Sequence, residues 1–341
     1  MRIWKIAYVA TGVLLAAGSV ATAEHGLSSV NKDIYQSALA LDVEMQKLGF
    51  DGFTLQDRKV RFYDGDCDYV VETDADKQMV VTKETAQLDV FAGTTLEVDG
   101  QWQVLLPTYE QFSGLFDTLG TLGSYQQRMQ EGAFDFAGSE YDDRMHAATI
   151  WHEAFHAWQA ENWHESMDML SATTLSMSVS GNDTLTAQTQ EGDKNPTDII
   201  VREADASEEL RTLFTEEMAQ LMNAYNAQNP AEKKEWVAKA LETANLRSEE
   251  LSDEAAAMEY YLENYEGSAR YVECMAYREM AGDDAWREIY LKDFQYANGS
   301  EKYYHMGMLK CVLLDQLADG WQQEMSDKVG LDELLSKQVK Y

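Results

Sequence analysis

The spacing of apolar residues separates a short β-rich stretch from longer helical stretches. Between positions 59 and 106, four runs rich in β-branched and aromatic residues are interrupted by Asp-Gly turns at 64–65 and 99–100. Such runs are typical of strands joined by tight turns. The pattern therefore predicts a small antiparallel sheet with strands at Lys59–Tyr63, Tyr69–Val71, Met79–Val81 and Trp102–Leu106.

Helical patterns lie on both sides of this sheet. Apolar positions recur at helical spacing in residues 24–49, 109–129 and 142–162. From position 206 onward, with Asn229-Pro230 marking one helix boundary, helices are predicted over 206–227, 231–247, 253–281, 283–295 and 300–325. The predicted fold class is α+β, predominantly α-helical.

The same patterns suggest how the chain is organised. We expect an N-terminal α/β region over residues 24–135 and a helical domain over 136–341. Residues 167–199 show no helical period, and a loop of this length is usually functional or mobile. This stretch is either a lid over a cleft or a passive insertion.

The first 23 residues have the composition of a secretory signal peptide. Arg2 and Lys5 form a short basic start, residues 6–20 are largely apolar, and Ala21-Thr22-Ala23 is a small-residue cleavage pattern. An uncleaved anchor is the alternative, although the apolar run is short for a membrane span. We expect cleavage after Ala23 and a periplasmic or secreted mature chain without stable membrane insertion.

The charge of the chain limits its partners. Acidic residues outnumber basic ones by 60 to 27, which gives a net charge of −33. A surface of this charge repels nucleic acid and anionic membranes. We therefore expect neither as a partner, and the sequence leaves the oligomeric state open.

The chain contains three cysteines, Cys67, Cys274 and Cys311. The predicted compartment permits disulfides, but an odd count leaves at least one cysteine unpaired. Cys274 and Cys311 both lie in helical patterns, where they either pair with each other or are buried as thiols. The spacing of the three fits no cysteine-type zinc site.

The candidate chemistry begins with an HExxH motif inside the predicted helix 142–162. His152 and His156 are four residues apart, so they share one helix face on which both rings can hold one metal ion. Glu153 lies beside that face. Two core histidines and a surface glutamate would give the same pattern by chance. The uncharged, helix-compatible residues around the motif favour the metal site.

A catalytic zinc site usually has three protein ligands and one open position. Residues 264–273 read Asn-Tyr-Glu-Gly-Ser-Ala-Arg-Tyr-Val-Glu. The Glu-Gly-x-Ala-x-Tyr run within this segment resembles the third-ligand segment of gluzincin zinc metallopeptidases, especially the aminopeptidase-like members. The resemblance implies a helical metallopeptidase-like domain with one Zn²⁺ per chain, held by His152, His156 and Glu266. Glu263 is the other candidate for the third ligand.

The chain departs from the gluzincin pattern in three places. Tyr265 stands where the resembled segment has Asn, and the gap from His156 to Glu266 is 110 positions (266 − 156), longer than is typical. Arg270 stands where thermolysin-like members have an Asp that orients a histidine, and arginine cannot accept a hydrogen bond. We expect Glu273, one turn further along the same face, to take that role.

The remaining site residues are predicted from the chemistry that such an enzyme needs. Gluzincins use a Tyr or His outside the metal motifs to stabilise the oxyanion, and residues Tyr303, Tyr304 and His305 are the best local candidates, although they could equally be packing or surface residues. Arg270 is a candidate for binding a substrate carboxylate. The predicted function is a zinc-dependent hydrolase of peptide bonds that acts on a peptide or protein, with Glu153 as the general base.

Two other functions fit parts of the pattern. Residues 153–156 are also a Glu-x-x-His sequence, the half-motif of di-iron helical bundles, but the second such sequence, Glu161 to His164, lies on the same predicted helix. The chain could instead be a non-catalytic extracytoplasmic binding protein whose zinc is structural. In that case a fourth ligand, for which His305 is available, would close the site.

Overall fold

A computed structural model describes most of the chain. The described residues are 5–6, 26–74, 76–87, 93–120, 141–163, 201–292, 294–296 and 298–339. The predicted signal peptide lies outside them except for residues 5–6, and the predicted loop at 167–199 lies outside them entirely. Both therefore remain predictions.

The described part of the chain is predominantly helical and contains one mixed sheet, which confirms the predicted α+β class. The predicted helix 253–281 consists of three consecutive segments, because a π-helix over Leu262–Glu266 interrupts it. The α-helices are α1 (Ser29–Ala40), α2 (Asp42–Gln46), α3 (Tyr109–Gly120), α4 (Asp143–Asn162), α5 (Glu208–Asn226), α6 (Pro230–Glu250), α7 (Asp253–Tyr261), α8 (Gly267–Ala281), α9 (Asp283–Tyr290), α10 (Glu301–Leu317) and α11 (Leu331–Val339).

The sheet differs from the prediction in two respects. Its strands are β1 (Lys5–Ile6), β2 (Val60–Tyr63), β3 (Cys67–Thr73), β4 (Met79–Thr85), β5 (Thr94–Val98) and β6 (Gln101–Pro107). Their order is β1-β5-β6-β2-β3-β4. The sheet is not wholly antiparallel, because β2 and β6 pair in parallel while the other neighbours are antiparallel. The sequence pattern also missed two strands: β5, whose residues at 94–98 include only two strongly apolar side chains, and β1, whose residues were assigned to the signal peptide.

Helix α4, which carries the HExxH motif, is the centre of the fold. Asp142 caps its N-terminus, since the Asp142 carboxylate accepts a hydrogen bond of 2.9 Å from the backbone N–H of Met145. Between Met145 and Ala160 every residue except Thr149 is buried. A helix buried on all sides belongs to the core, and α4 packs against α1, α8, β5 and β6.

Aromatic residues beside the histidines anchor α4 in the core. Phe155 packs edge-on against Phe50 and Phe53, with ring centroids 4.7 and 5.3 Å apart. The indole N–H of Trp151 donates to the carbonyl of Ala38 at 3.1 Å. These contacts belong to one apolar cluster that extends from Leu27 to Leu335. Residues of both predicted regions, 24–135 and 136–341, therefore share one core.

Helices α8 and α10 approach each other so closely that their backbones touch. A Cβ atom placed on Gly267 would lie 2.5 Å from the Cα of Gly307. A Cβ atom on Gly307 would overlap the carbonyl oxygen of Glu263 and lie 2.7 Å from the Cα of Gly267. Only glycine fits at this crossing, because every larger side chain would push the two helices apart.

The three cysteines are buried free thiols, so Cys274 and Cys311 are core residues and do not form a disulfide. Burial raises the pKa of both thiols above the usual range. Among the described helices, none combines the length and apolar character needed to cross a bilayer.

We predict that Gly307→Ala destabilises the protein by about 3 kcal/mol or more, because the added methyl group meets rigid backbone at the crossing. Gly114→Ala is the matched control, since it also adds a methyl group to a helical glycine but into open space. The control should increase stability by about 0.5–1 kcal/mol. Chemical denaturation of both variants provides the measurement, and equal effects would contradict the close crossing.

Candidate metal centre

Two histidine nitrogens of α4 face each other on the side of the helix that meets α8. The Nε2 atoms of His152 and His156 are 3.0 Å apart. Both side chains are buried, each with about 1% of its surface exposed. The expected pairing of the two motif histidines on one helix face is therefore present.

Glu266, the last residue of the π-helix, completes the group from the neighbouring segment. Its Oε2 lies 3.1 Å from Nε2 of His156 and 3.6 Å from Nε2 of His152. Two ligand atoms of a tetrahedral zinc ion, each about 2 Å from the metal, are about 3.3 Å apart. The three observed separations bracket this value, and His152, His156 and Glu266 form a buried group that could hold a metal ion.

Hydrogen bonds on the far side of each ring determine which nitrogen faces the group. Nδ1 of His152 lies 2.8 Å from Oε2 of Glu273, and Nδ1 of His156 lies 2.7 Å from Oε1 of Gln159. Both partners are acceptors, so each Nδ1 carries a proton and donates it. The two Nε2 atoms and a carboxylate oxygen of Glu266 then converge, an arrangement that positive charge stabilises, whether it comes from a bound proton or from a metal ion.

Gln159 was not predicted as part of the site. Its amide nitrogen donates to the carbonyl of Tyr265 at 2.9 Å and to the hydroxyl of Ser268 at 3.0 Å. These two bonds orient the amide so that its oxygen faces His156, and they join α4 to the segment that supplies Glu266. The only sequence signal is the position of Gln159 three residues after His156 on one helix.

Glu273 has the role that the sequence predicted for it, and Arg270 supports it. Besides accepting from His152, the Glu273 carboxylate accepts from Arg270 at 2.8 Å and from the hydroxyl of Tyr290 at 3.1 Å. Arg270 also contacts Glu301 at 3.3 Å, and only 7% of its surface is exposed. Arg270 therefore lies beside Glu273, the residue that orients His152. The sequence had instead suggested that Arg270 binds a substrate carboxylate.

The carboxylates give the group a strongly negative character. Burial alone would lower the pKa of His152, but hydrogen bonds to Glu266 and Glu273 outweigh it and raise that pKa to about 9. Burial would raise the pKa of Glu273, but Arg270 and His152 lower it to about 2. The two histidines likewise lower the pKa of Glu266 against the effect of its burial. A site that holds positive charge this firmly also attracts a divalent cation.

Glu153 is buried between α4 and the start of β5. A Cβ atom on Gly93 would lie 2.5 Å from Oε1 of Glu153, so a side chain at position 93 would displace this carboxylate. The hydroxyl of Thr95 donates to the Glu153 carbonyl at 2.6 Å and lies 3.4 Å from its Oε2. Burial raises the pKa of Glu153 to about 7, although His152 and His156 lower it in part. This carboxyl group can exchange a proton near neutral pH.

The three predicted oxyanion donors have different contacts. Tyr304 is buried beside Glu266, and a hydrogen bond to that carboxylate is among the causes that raise the Tyr304 pKa after burial. Tyr303 packs edge-on against Phe214 at 5.3 Å, and His305 lies 6.1 Å from the ring of Phe294. Of the three, only Tyr304 has a described contact with the metal group.

Glu263, the alternative third ligand, belongs to a separate buried cluster. It accepts hydrogen bonds from Lys310 at 2.6 Å and from Arg247 at 3.2 Å. Both cations also pair with the fully buried Glu217, at 3.1 and 2.8 Å. The side chain of Glu263 is therefore held by Lys310 and Arg247, and Glu266 is the third member of the group that could hold a metal ion.

The described residues support neither of the two alternative metal sites, the structural zinc site closed by His305 and the di-iron site. Among the described residues, the group that could hold a metal ion has three members and does not include His305. Glu161, from the second Glu-x-x-His sequence, forms a bidentate pair with Arg58 at 3.0 and 2.9 Å on the surface. His164 lies outside the described residues.

No protein-family model, curated protein or solved structure matches this chain. The likeness to gluzincins is therefore carried by the motif residues quoted above, and the geometry of the site must support the function on its own. That geometry consists of two histidines, one carboxylate ligand and a second, protonatable carboxyl group beside them.

We predict that Glu266→Gln removes a stoichiometric metal ion from the purified protein while Glu263→Gln retains it. The loss in affinity at Glu266 should exceed the 10–100-fold typical when a residue that only orients a ligand is changed. Elemental analysis after dialysis against a competing chelator provides the measurement. Metal lost equally from both variants would contradict the assignment.

We also predict that Glu273→Gln weakens metal binding by about 10–100-fold, because His152 loses the negative partner that fixes its orientation. Glu301→Gln is the matched control, since Glu301 contacts Arg270 and has no described contact with His152. Competition with a chromophoric chelator measures both affinities. An unchanged affinity in Glu273→Gln would show that the His152–Glu273 bond does not contribute.

Proposed function

We propose that this protein is a zinc-dependent hydrolase that cleaves peptide bonds. The observation that carries the proposal is the convergence of His152, His156 and Glu266 beside the buried carboxyl group of Glu153. Histidine nitrogens and one carboxylate are ligands that suit zinc, and three protein ligands leave a position for water. The resemblance of residues 264–273 to gluzincins points to the same chemistry.

Zinc bound at this site would act as a Lewis acid and lower the pKa of a water molecule toward neutrality. The chain's own contribution to the reaction is the proton transfer by Glu153. Its pKa of about 7 allows the carboxylate to take a proton from the attacking water and then to give it to the leaving amine. Thr95 contacts this carboxyl group, and the absence of a side chain at Gly93 leaves room for it.

Other residues hold the ligands. Glu273 and Gln159 orient the two histidine rings, and Tyr304 donates to Glu266. Arg270 acts through Glu273, whose charge it balances, so we propose a positioning role for Arg270. Such outer contacts fix ligand geometry and metal affinity.

Two observations support a peptide as the substrate. The start of β5 lies against Glu153, and the backbone of residues 5–6 pairs antiparallel with β5, with Ile6 opposite Thr95. An extended segment on this strand edge is thus compatible with the fold, and extended peptides commonly bind in this way. The resemblance to metallopeptidases favours the same substrate class.

The proposed location follows from residues 1–23 and from the charge of the chain. We propose an extracytoplasmic protein, periplasmic or secreted, that is released by cleavage near Ala23. The net charge of −33 supports peptide or protein substrates rather than nucleic acid as the partner.

We predict that Glu153→Gln lowers kcat by at least about 10²–10⁴-fold, because the amide cannot accept the proton of water. Zinc content should be unchanged, since Glu153 is not a ligand. Glu161→Gln, a substitution of the same kind in the same helix, should keep its activity because Glu161 contacts Arg58 on the surface.

Cleavage of a defined peptide library, read by mass spectrometry, measures both variants. Activity retained in Glu153→Gln would contradict the proposed mechanism. A zinc-loaded wild-type chain that cleaves no peptide would instead indicate a binding role.

A further inference from the structure

We infer that Tyr265 is a catalytic residue whose hydroxyl donates a hydrogen bond to the oxygen of the scissile carbonyl as that oxygen becomes negative. The inference rests on the proposed hydrolase function. It assigns a role to a residue that the sequence marked only as a departure from the gluzincin segment, where Asn precedes the ligand Glu.

The position of Tyr265 is fixed by stacking. Its ring lies nearly parallel to the ring of His156, with centroids 4.5 Å apart and planes 13° apart. On its other face lies Tyr261, with centroids 5.0 Å apart and planes 21° apart. Only 1% of the surface of Tyr265 is exposed. A phenol clamped between two rings has little freedom to move, which is what a preorganised donor requires.

The hydroxyl of Tyr265 is buried and has no hydrogen-bond partner among the described residues. Leaving a buried hydroxyl without a partner costs free energy, so such groups call for an explanation. Other buried phenols nearby are engaged: Tyr271 donates to Asp315 at 2.8 Å, and Tyr290 donates to Glu273 at 3.1 Å. A substrate oxygen bound at the metal group would supply the missing partner.

Tyr265 adjoins the metal group in two ways. It directly precedes Glu266 in the chain, and its ring stacks on that of His156. A tyrosine hydroxyl is a hydrogen-bond donor, as an oxyanion site requires.

The alternatives within the stack and in α10 are less suitable. Tyr304 already donates to Glu266, so its hydroxyl serves the metal ligand. The hydroxyl of Tyr261 also lacks a partner among the described residues, but Tyr261 is the outer ring of the stack. Among these tyrosines, Tyr265 is the one that combines a described contact with a ligand histidine and an unpartnered hydroxyl.

The reaction step balances without any further reactant. The oxygen of water forms a bond to the carbonyl carbon, and the π electrons of the C=O bond move to the carbonyl oxygen, to which Tyr265 donates. Glu153 takes the water proton and passes it to the leaving nitrogen as the C–N bond breaks. The products are a carboxylic acid and an amine, and Tyr265 keeps its proton throughout.

We predict that Tyr265→Phe in the zinc-loaded protein lowers kcat by about 10²–10³-fold, the loss typical when one oxyanion donor is removed. KM and zinc content should change little, because phenylalanine preserves the stack. Tyr304→Phe should show the opposite pattern, with weaker zinc binding as its main effect. Tyr271→Phe controls for the loss of a buried phenol in the adjoining helix α8, and it should retain kcat.

A second measurement does not depend on turnover. In cobalt-substituted protein, the visible spectrum reports the binding of methylphosphonate, whose tetrahedral anion imitates the oxyanion, and of imidazole, which offers no oxygen to Tyr265 once bound. Tyr265→Phe should weaken methylphosphonate binding about tenfold, as expected for one lost hydrogen bond to a charged group. It should leave imidazole binding unchanged.

Equal methylphosphonate affinity in wild type and Tyr265→Phe would overturn the inference, as would a kcat loss in Tyr261→Phe equal to or larger than that in Tyr265→Phe. These outcomes are separable from failure of the proposed function. If Glu153→Gln abolishes turnover but Tyr265→Phe does not reduce it, the proposed hydrolase function is supported and the proposed role of Tyr265 is wrong. If the wild type cleaves no peptide, the hydrolase function is wrong, and the methylphosphonate measurement still tests whether Tyr265 donates a hydrogen bond.

Discussion

The backbone contact between Gly267 and Gly307 is the constraint on which the metal centre depends. It lets α8 and α10 approach until no side chain separates them. Because Glu266 directly precedes one glycine and Tyr304 lies one turn before the other, the contact brings this carboxylate and this phenol together. Gln159 then connects the same segment to α4 through the carbonyl of Tyr265 and so aligns it with the histidines. A substitution at either glycine would shift the third ligand before it affected any other part of the site.

Burial determines the electrostatic character of the candidate metal centre. Glu153, Glu266 and Glu273 are all buried within one small region, where an uncompensated negative charge is costly. Arg270 balances the negative charge of Glu273, and Glu153 can become neutral by taking up a proton. Glu266 and the two histidines then remain as the group where a bound cation is best stabilised. Metal binding and folding are therefore expected to be coupled in this chain. The same low-dielectric surroundings strengthen hydrogen bonds to charge that develops during a reaction.

The sequence predicted what depends on local spacing and missed what depends on long-range contacts. His152, Glu153 and His156 follow from helical geometry alone, and Glu273 follows from its place one turn beyond Arg270. The pairing of β2 with β6 in parallel, the strand β5, and the contact of Gly93 with Glu153 join segments that are distant along the chain. Nothing in the residues of any one segment reports such contacts. Arg270 shows the same limit, since an exposed arginine and one paired with Glu273 have identical sequence patterns.

The π-helix explains why two acidic residues three positions apart serve different purposes. In a regular α-helix, residues three apart lie on nearly the same face, so Glu263 and Glu266 would both approach the histidines. The wider turn of a π-helix, which is common at functional sites, separates them. Glu263 turns toward Lys310 and Arg247, and Glu266 turns toward α4. The same local winding leaves Tyr265 stacked on His156, so one irregular turn supplies both a metal ligand and the candidate donor next to it.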